Sequence, residues 1–200
     1  MRTSTWRRAV VAGIALTMAA VVLVSISPPA NAAKPLARAT LMNAAGAKVG
    51  EVVFKGPGKY ADRVEVEILA SAAPNLGSFH GFHIHTTGVC TAAPSGTTNV
   101  PFGSAGGHWN PTAATHGAHA GDLPSALITT EGETYAEFET DRFTLSALLD
   151  TGGDGSAVIL HAGPDNFANI PADPYGGPNT ATLATGDAGG RYACGVVRAA

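Results

Sequence analysis

The stretch His80–Cys90, HGFHIHTTGVC, carries the densest chemistry in the chain. His83 and His85 stand two apart around Ile84, with Phe79 and Phe82 close by, and all of these residues suit a strand. On a strand, residues i and i+2 share a face, so both imidazoles look one way and Ile84 looks into the core. Two imidazoles on one rigid strand make half of a metal site. All seven histidines (His80, His83, His85, His108, His116, His119 and His161) fall between residues 80 and 161, a clustering that scattered surface histidines would not show. His108 follows Gly106-Gly107, where backbone can approach a site closely. His116, His119 and Asp122 are spaced three apart and can converge on one ion. Three His and a carboxylate complete a closed, tetrahedral zinc site. An imidazole-rich set without thiolate suits copper as well.

Short β-prone runs must position these groups. Ala37–Met42 and Lys48–Lys55 flank a hairpin signal at Asn43-Ala44-Ala45-Gly46. Val64–Leu69 alternates apolar and charged residues, as a half-buried strand does. Pro74-Asn75 turns the chain into the strand Phe79–His85. Leu127–Thr130, Glu133–Phe138, Ala157–His161 and Ala193–Arg198 read as further strands. Phe143–Leu149 fits either a strand or a short helical turn. Thr86–Leu123 and Pro164–Gly190 lack periodicity, and loops that long inside a compact domain are usually functional. About eight short strands with no long helix predict an all-β, antiparallel sandwich or flattened barrel with two long functional loops.

The chain opens with Arg2, Arg7 and Arg8, an apolar run Ala9–Val24, Pro28-Pro29 and Ala30-Asn31-Ala32. This is the pattern of a secretory signal peptide, residues 1–32, cut after Ala32 to leave 33–200 as one domain. The apolar run is long enough for a transmembrane anchor, but the Pro-Pro break and the A-x-A site favour cleavage. The general secretory and twin-arginine routes both remain open, the latter through Arg7-Arg8. Three of the twelve Lys and Arg lie in this leader, leaving nine against fifteen Asp and Glu, a net of −6. With no basic run, nucleic acid and anionic membrane are poor partners. Two cysteines in an exported chain, Cys90 and Cys194, read as one disulfide rather than two free thiols or soft metal ligands. Such a bridge closes a loop of about a hundred residues, worth ~4–5 kcal/mol by chain entropy.

Five stretches together resemble the copper–zinc superoxide dismutases of the bacterial exported type: HGFHIHTTGVC (80–90), GGHWNP (106–111), HAGDLP (119–124), LHAGPDN (160–166) and GDAGGRYACGVV (186–197). They come in the family's order, at close to its spacings, over most of the chain after the leader. The resemblance implies a Greek-key β-sandwich, an architecture for which this family is itself a standing example. It implies copper held by His83, His85, His108 and His161, and zinc held by His108, His116, His119 and Asp122. His108 would bridge the two metals. Arg191 would hold superoxide beside copper, and Asp165 would tie ligands of both metals together from outside, as such partners do. His80 would support the site's backbone without binding metal, and Cys90–Cys194 would be the family disulfide. The implied activity is conversion of superoxide to dioxygen and hydrogen peroxide, in the periplasm, cell envelope or outside the cell. Relatives occur as monomers and dimers, so a homodimer is among the assemblies the resemblance allows, with no stable membrane association after leader removal.

Two departures bear on the site. Only Gly117-Ala118 separates His116 from His119, a shorter stretch than relatives usually carry, which tightens the bite on zinc. The loop Asp165–Gly190 has no Lys, so steering of an anion would rest on Arg191, the metals and Arg142 or Arg198. The rival readings are a copper-only superoxide dismutase, a non-enzymatic copper-binding module and a zinc-only structural domain. Intact Arg191 and four copper-type His argue against the copper-binding module, and metal content with an activity assay separates the zinc-only domain.

Overall fold

The computed structural model describes residues 35–56, 63–71, 73–150 and 153–200, and the expected leader lies outside them. Twelve strands are present among the described residues: β1 Pro35–Asn43, β2 Lys48–Lys55, β3 Val64–Ala70, β4 Ser78–His80, β5 Phe82–His85, β6 Ala93–Ser95, β7 Thr98–Val100, β8 Ala126–Ile128, β9 Thr134–Thr140, β10 Ala157–His161, β11 Arg191–Val196 and β12 Arg198–Ala199. Eight of them form one curled antiparallel sheet in the order β5-β10-β11-β1-β2-β3-β9, with β12 also on β1. β4 pairs with β8, and β6 with β7. β1–β3 run as a meander; the chain then crosses from β3 to β5 and from β9 to β10, which are not neighbours. This is the all-β sandwich expected from the pattern, with the Greek-key crossovers that the resemblance implies.

Alternation sets the faces. Val64, Val66 and Ile68 of β3 are buried, while Glu65 and Glu67 point out and pair with Lys55 of β2 at 2.6 and 2.7 Å. The core joins Leu41, Phe54 and Ile68 to Phe82, Ile84, Leu148 and Leu160. Burial of each such side chain stabilises by about 1.5–3 kcal/mol. The segment Phe143–Leu149 resolves as a helix, α1 Leu145–Leu149, because Thr144 caps it by accepting from the Ala147 N–H at 3.2 Å. The second long loop carries two single-turn helices, α2 Ala172–Tyr175 and α3 Thr182–Thr185.

The expected strand Phe79–His85 is split at Gly81. There the chain leaves β8 and takes β10 as its neighbour. The Gly81 N–H donates to Gly163 O and its carbonyl accepts from the His161 N–H, both at 2.8 Å. A Cβ at this position would come within 2.6 Å of the Ala188 methyl, so only glycine lets the strand pass beneath the second long loop. β10 is buried throughout. Val158 and Leu160 face the main core, while Ala157 and Ile159 face a smaller cluster with Phe102, Ala105 and the disulfide.

Cys90 and Cys194 are bonded, with Cα atoms 5.7 Å apart and a sequence separation of 104. The bridge pins the loop after β5 to β11. Replacing both cysteines with serine should lower the free energy of unfolding by about 4–5 kcal/mol in denaturant titrations, the chain-entropy value for a loop of this length. A loss below about 1 kcal/mol would show that residual structure already holds the loop when the chain unfolds.

Candidate metal centre

β5 is the platform of the site. One edge pairs with β10, setting His83 opposite Ile159 and His85 opposite Ala157. The other edge is taken by the first long loop. Ile84 N–H donates to Gly121 O at 2.9 Å, and Ile84 O accepts from Trp109 N–H at 2.8 Å. Gly121 N–H in turn donates to Trp109 O at 2.9 Å. These bonds fix His108 and Asp122 beside the strand, as isolated bridges His85–His108 and His83–Asp122. Phe82 and Ile84 go to the core, so His83 and His85 must face the loop.

His83, His85, His108 and His161 form one group whose nitrogens all lie within 4.8 Å of one another. Three of these rings are held from outside by one nitrogen. His83 Nε2 meets Asp165 Oδ2 at 2.7 Å, His85 Nδ1 meets Gly106 O at 2.9 Å, and His161 Nδ1 meets Gly189 O at 3.1 Å. Their other nitrogens (His83 Nδ1, His85 Nε2 and His161 Nε2) are buried with no hydrogen-bond partner. A buried, unpaired polar atom costs about 1–3 kcal/mol. Three of them aimed at one spot fit a metal ion with an affinity for imidazole, each ligand braced by a partner behind it.

His108, His116, His119 and Asp122 form the second group. Asp122 Oδ1 lies 3.0 Å from His108 Nδ1, 3.1 Å from His119 Nδ1 and 3.3 Å from His116 Nδ1. A tetrahedral zinc with bonds of about 2.0–2.2 Å keeps its ligand atoms about 3.3–3.6 Å apart, so the set fits with a slight expansion. The other Asp122 oxygen accepts from the N–H groups of Gly117 at 2.7 Å and His119 at 3.0 Å. The short His116–His119 turn therefore closes on one carboxylate. His108 belongs to both groups, with Nδ1 toward Asp122 and Nε2 left for the first.

Asp165 joins the two halves. Its carboxylate reaches His83 Nε2 and, at 2.8 Å, His116 Nε2. His80 is fully buried, its ring nitrogens 2.8 Å from His161 O and 3.0 Å from Asn75 O, and it belongs to neither group. Arg191 lies opposite His161 in the β10–β11 register, where one extra residue in β11 makes a bulge that re-aims it. Its guanidinium donates to Phe102 O at 2.7 Å and Gly106 O at 2.6 Å. Gly106 O thus serves both Arg191 and His85.

Several of these partners carry no sequence signal. Phe102, in the left-handed region at φ 57°, has an ordinary apolar side chain, and what matters is its carbonyl. Gly186, at φ 63°, lies where a Cβ would strike both Asp165 Oδ1 and His116 Nε2. A glycine after a helical turn was the available hint. Arg142, weighed as a steering charge, instead turns its guanidinium onto carbonyls of the loop beside Asp122.

Residues 48–197 match the family described as copper/zinc superoxide dismutase. The chain is 41% identical over 179 residues to the Cu-Zn superoxide dismutase of Mycolicibacterium paratuberculosis, covering 85% of this chain and 77% of that protein. It is 32% identical over 186 residues to the Cu-Zn superoxide dismutase of Deinococcus radiodurans, covering 88% and 91%. A solved Cu/Zn superoxide dismutase from Brucella abortus has the same fold, with a TM-score of 0.64 and 24% identity over 80% of this chain and 98% of that one.

In protein stripped of metal, the two groups hold protons differently. Burial pushes His83 down to about 4, against the pull of Asp165. Burial and the neighbouring His83 push His161 down to about 3. Burial also acts on His116, but Asp122 and Asp165 outweigh it and hold that ring up at about 9. Both carboxylates lie well below their usual range: burial opposes this, but hydrogen bonds from His108 and His116, and from His116 and His83, prevail. Against an ordinary value of 6.5, the stability from His83 and His161 is complete above that pH and lost as pH falls toward about 4 and about 3. That from His116 is complete below 6.5 and lost as pH rises toward about 9. Chelator-treated protein should therefore be most stable near pH 6–7 and decline on both sides in thermal melts. His116→Asn should remove the alkaline limb alone, and a flat profile from about pH 4 to 9 would contradict these assignments.

Proposed function

The chain belongs to the copper/zinc superoxide dismutase family, and from that membership we propose the roles its residues take in dismutating superoxide. It is an oxidoreductase acting on superoxide, with copper and zinc as its cofactors. One superoxide gives up an electron and leaves as dioxygen; a second accepts that electron with two protons and leaves as hydrogen peroxide. Copper, held by His83, His85, His108 and His161, supplies the one-electron couple for both halves. The observation that carries this reading is the set of buried ring nitrogens, His83 Nδ1, His85 Nε2 and His161 Nε2, unpaired and converging while their opposite nitrogens are braced.

Arg191 binds the substrate anion. Its guanidinium is fixed by the Phe102 and Gly106 carbonyls, so positive charge waits at the site without reorganising when superoxide arrives. Burial makes this arginine somewhat easier to deprotonate than usual, yet a guanidinium is so weak an acid that it stays charged at neutral pH. His108 Nδ1 stays on the zinc side with Asp122, so its Nε2 would serve copper in one half of the reaction and, when not engaged there, carry a proton for the peroxide in the other. Asp165 keeps His83 and His116 in fixed tautomers and so aligns both groups. His116, His119 and Asp122 complete zinc with His108; that intact set favours the copper–zinc enzyme over a copper-only one. Residues 1–32 serve as a leader removed on export, in keeping with the disulfide, and 33–200 act as a single domain in the periplasm, cell envelope or extracellular space.

Purified mature protein should contain one copper and one zinc per chain, with dismutation lost when copper alone is removed. Active protein with copper but no zinc would sink the roles of His116, His119 and Asp122. Fully copper-loaded protein without activity would sink the enzymatic reading. Arg191→Ala should lower kcat/KM about 10- to 100-fold and flatten its dependence on ionic strength. Arg191→Lys should keep the salt dependence while losing rate, since an ammonium cannot span the Phe102 and Gly106 carbonyls. An unchanged kcat/KM in Arg191→Ala would remove this residue from the mechanism.

A further inference from the structure

The turn between His116 and Asp122 has three carbonyls that point to one side chain. Arg142 donates through Nη1 to His119 O and Asp122 O and through Nη2 to Gly117 O, each at 3.0 Å. On the same turn, the N–H groups of Gly117 and His119 donate to Asp122 Oδ2. The turn is thus held twice, by a carboxylate on its N–H groups and by a guanidinium on its carbonyls. Only the rigid five-donor fork of arginine reaches three acceptors in fixed directions.

Arg142 is itself well anchored. Its N–H donates to Thr140 Oγ1 at 3.2 Å. The next residue, Phe143, is buried against Phe54 and Trp109, with ring centroids 6.4 and 5.8 Å away. Trp109 follows His108 and hydrogen-bonds to Ile84 of the platform strand. The guanidinium therefore ties the turn to the part of the core that carries His108, the remaining ligand of the same group. Its charge has the wrong sign for attracting zinc, so a role through charge alone would weaken binding. What it supplies is position.

We propose that Arg142 is a positioning residue for zinc: it holds Gly117–Asp122 closed so that His116, His119 and Asp122 meet His108 at tetrahedral spacing. This rests on the assignment of those four residues to zinc. The test uses full mature protein loaded with copper(I), which is colourless, and freed of zinc. It is then titrated with zinc against a chromogenic chelator and with cobalt(II) as an optical probe. Wild type should take one zinc. Arg142→Ala should still take one, with affinity lowered about 10- to 100-fold, the range for partners that brace metal ligands. Its cobalt spectrum should keep its tetrahedral bands but require more metal to saturate. Arg142→Lys, which keeps charge and stem, should behave like Arg142→Ala, and it decides the matter if the alanine variant does not fold. Zinc affinity unchanged or increased in both variants would overturn the proposal while leaving the ligands standing. A wild-type chain that takes no zinc, or Asp122→Ala binding it as tightly as wild type, would overturn the ligand assignment and the proposal with it.

Discussion

A buried imidazole has two nitrogens to satisfy, and the site depends on satisfying only one of them with protein. His83, His85, His116 and His161 are almost wholly buried, and each has one nitrogen bonded outward to Asp165, Gly106 O, Asp165 or Gly189 O. The remaining nitrogens of His83, His85 and His161 have no hydrogen-bond partner and converge, while His116 Nδ1 faces Asp122 Oδ1 at 3.3 Å. Three such unpaired atoms are a cost of several kcal/mol to the fold by itself. Nothing in the core requires it, and metal ligation recovers it. The long loops, the disulfide and the bulge in β11 all hold the outer partners that make the inner nitrogens converge.

That requirement explains which parts could be read in the sequence. His83-Ile84-His85 was legible because strand alternation needs only local spacing, and the buried Ile84 and Phe82 bear it out. The strands β2, β3, β9 and β10 were legible for the same reason. Gly81 was not. Its neighbours alternate as one continuous strand, and the change of partner from β8 to β10 is decided by Ala188 overhead and Gly163 alongside, both far away in sequence. α1 was ambiguous because a five-residue apolar segment has too little length to reveal its period; the Thr144 cap decided it. The outer braces were the least legible part. Carbonyls of Phe102, Gly106 and Gly189 act through backbone that every residue possesses, so no residue type announces them.

Asp165 and Asp122 do related work at different depths. Asp122 places one oxygen among three ring nitrogens and spends the other on two N–H groups of its own turn. Asp165 places its oxygens on a ring from each group and takes the Phe167 N–H at 2.7 Å. Any displacement of the second long loop, which carries Asp165 and Gly186, is therefore felt by both groups at once. The glycine at 186 keeps that linkage open, since a methyl there would occupy the line between Asp165 and His116. The two metal sets are consequently one mechanical unit.

The absence of Lys from the second long loop makes it look hostile to an anion, yet the acids it contains are largely committed. Asp165 is buried between His83 and His116. Asp187 accepts from Asn166 Nδ2 at 2.7 Å. Of the three acids in this loop, Asp173 on α2 is left without a partner of that kind, and screening at physiological salt shortens its reach to about 8 Å. Arg142 is committed to the zinc-side turn and Arg198 sits on β12, opposite Arg38 of β1. Beside the metals, Arg191 remains for drawing in superoxide in the proposed mechanism, held at the seam between β11 and the disulfide-pinned loop by the carbonyls of Phe102 and Gly106, the second of which also orients His85. Attraction and ligand geometry thus share the single oxygen of Gly106, so a change that loosens one loosens the other.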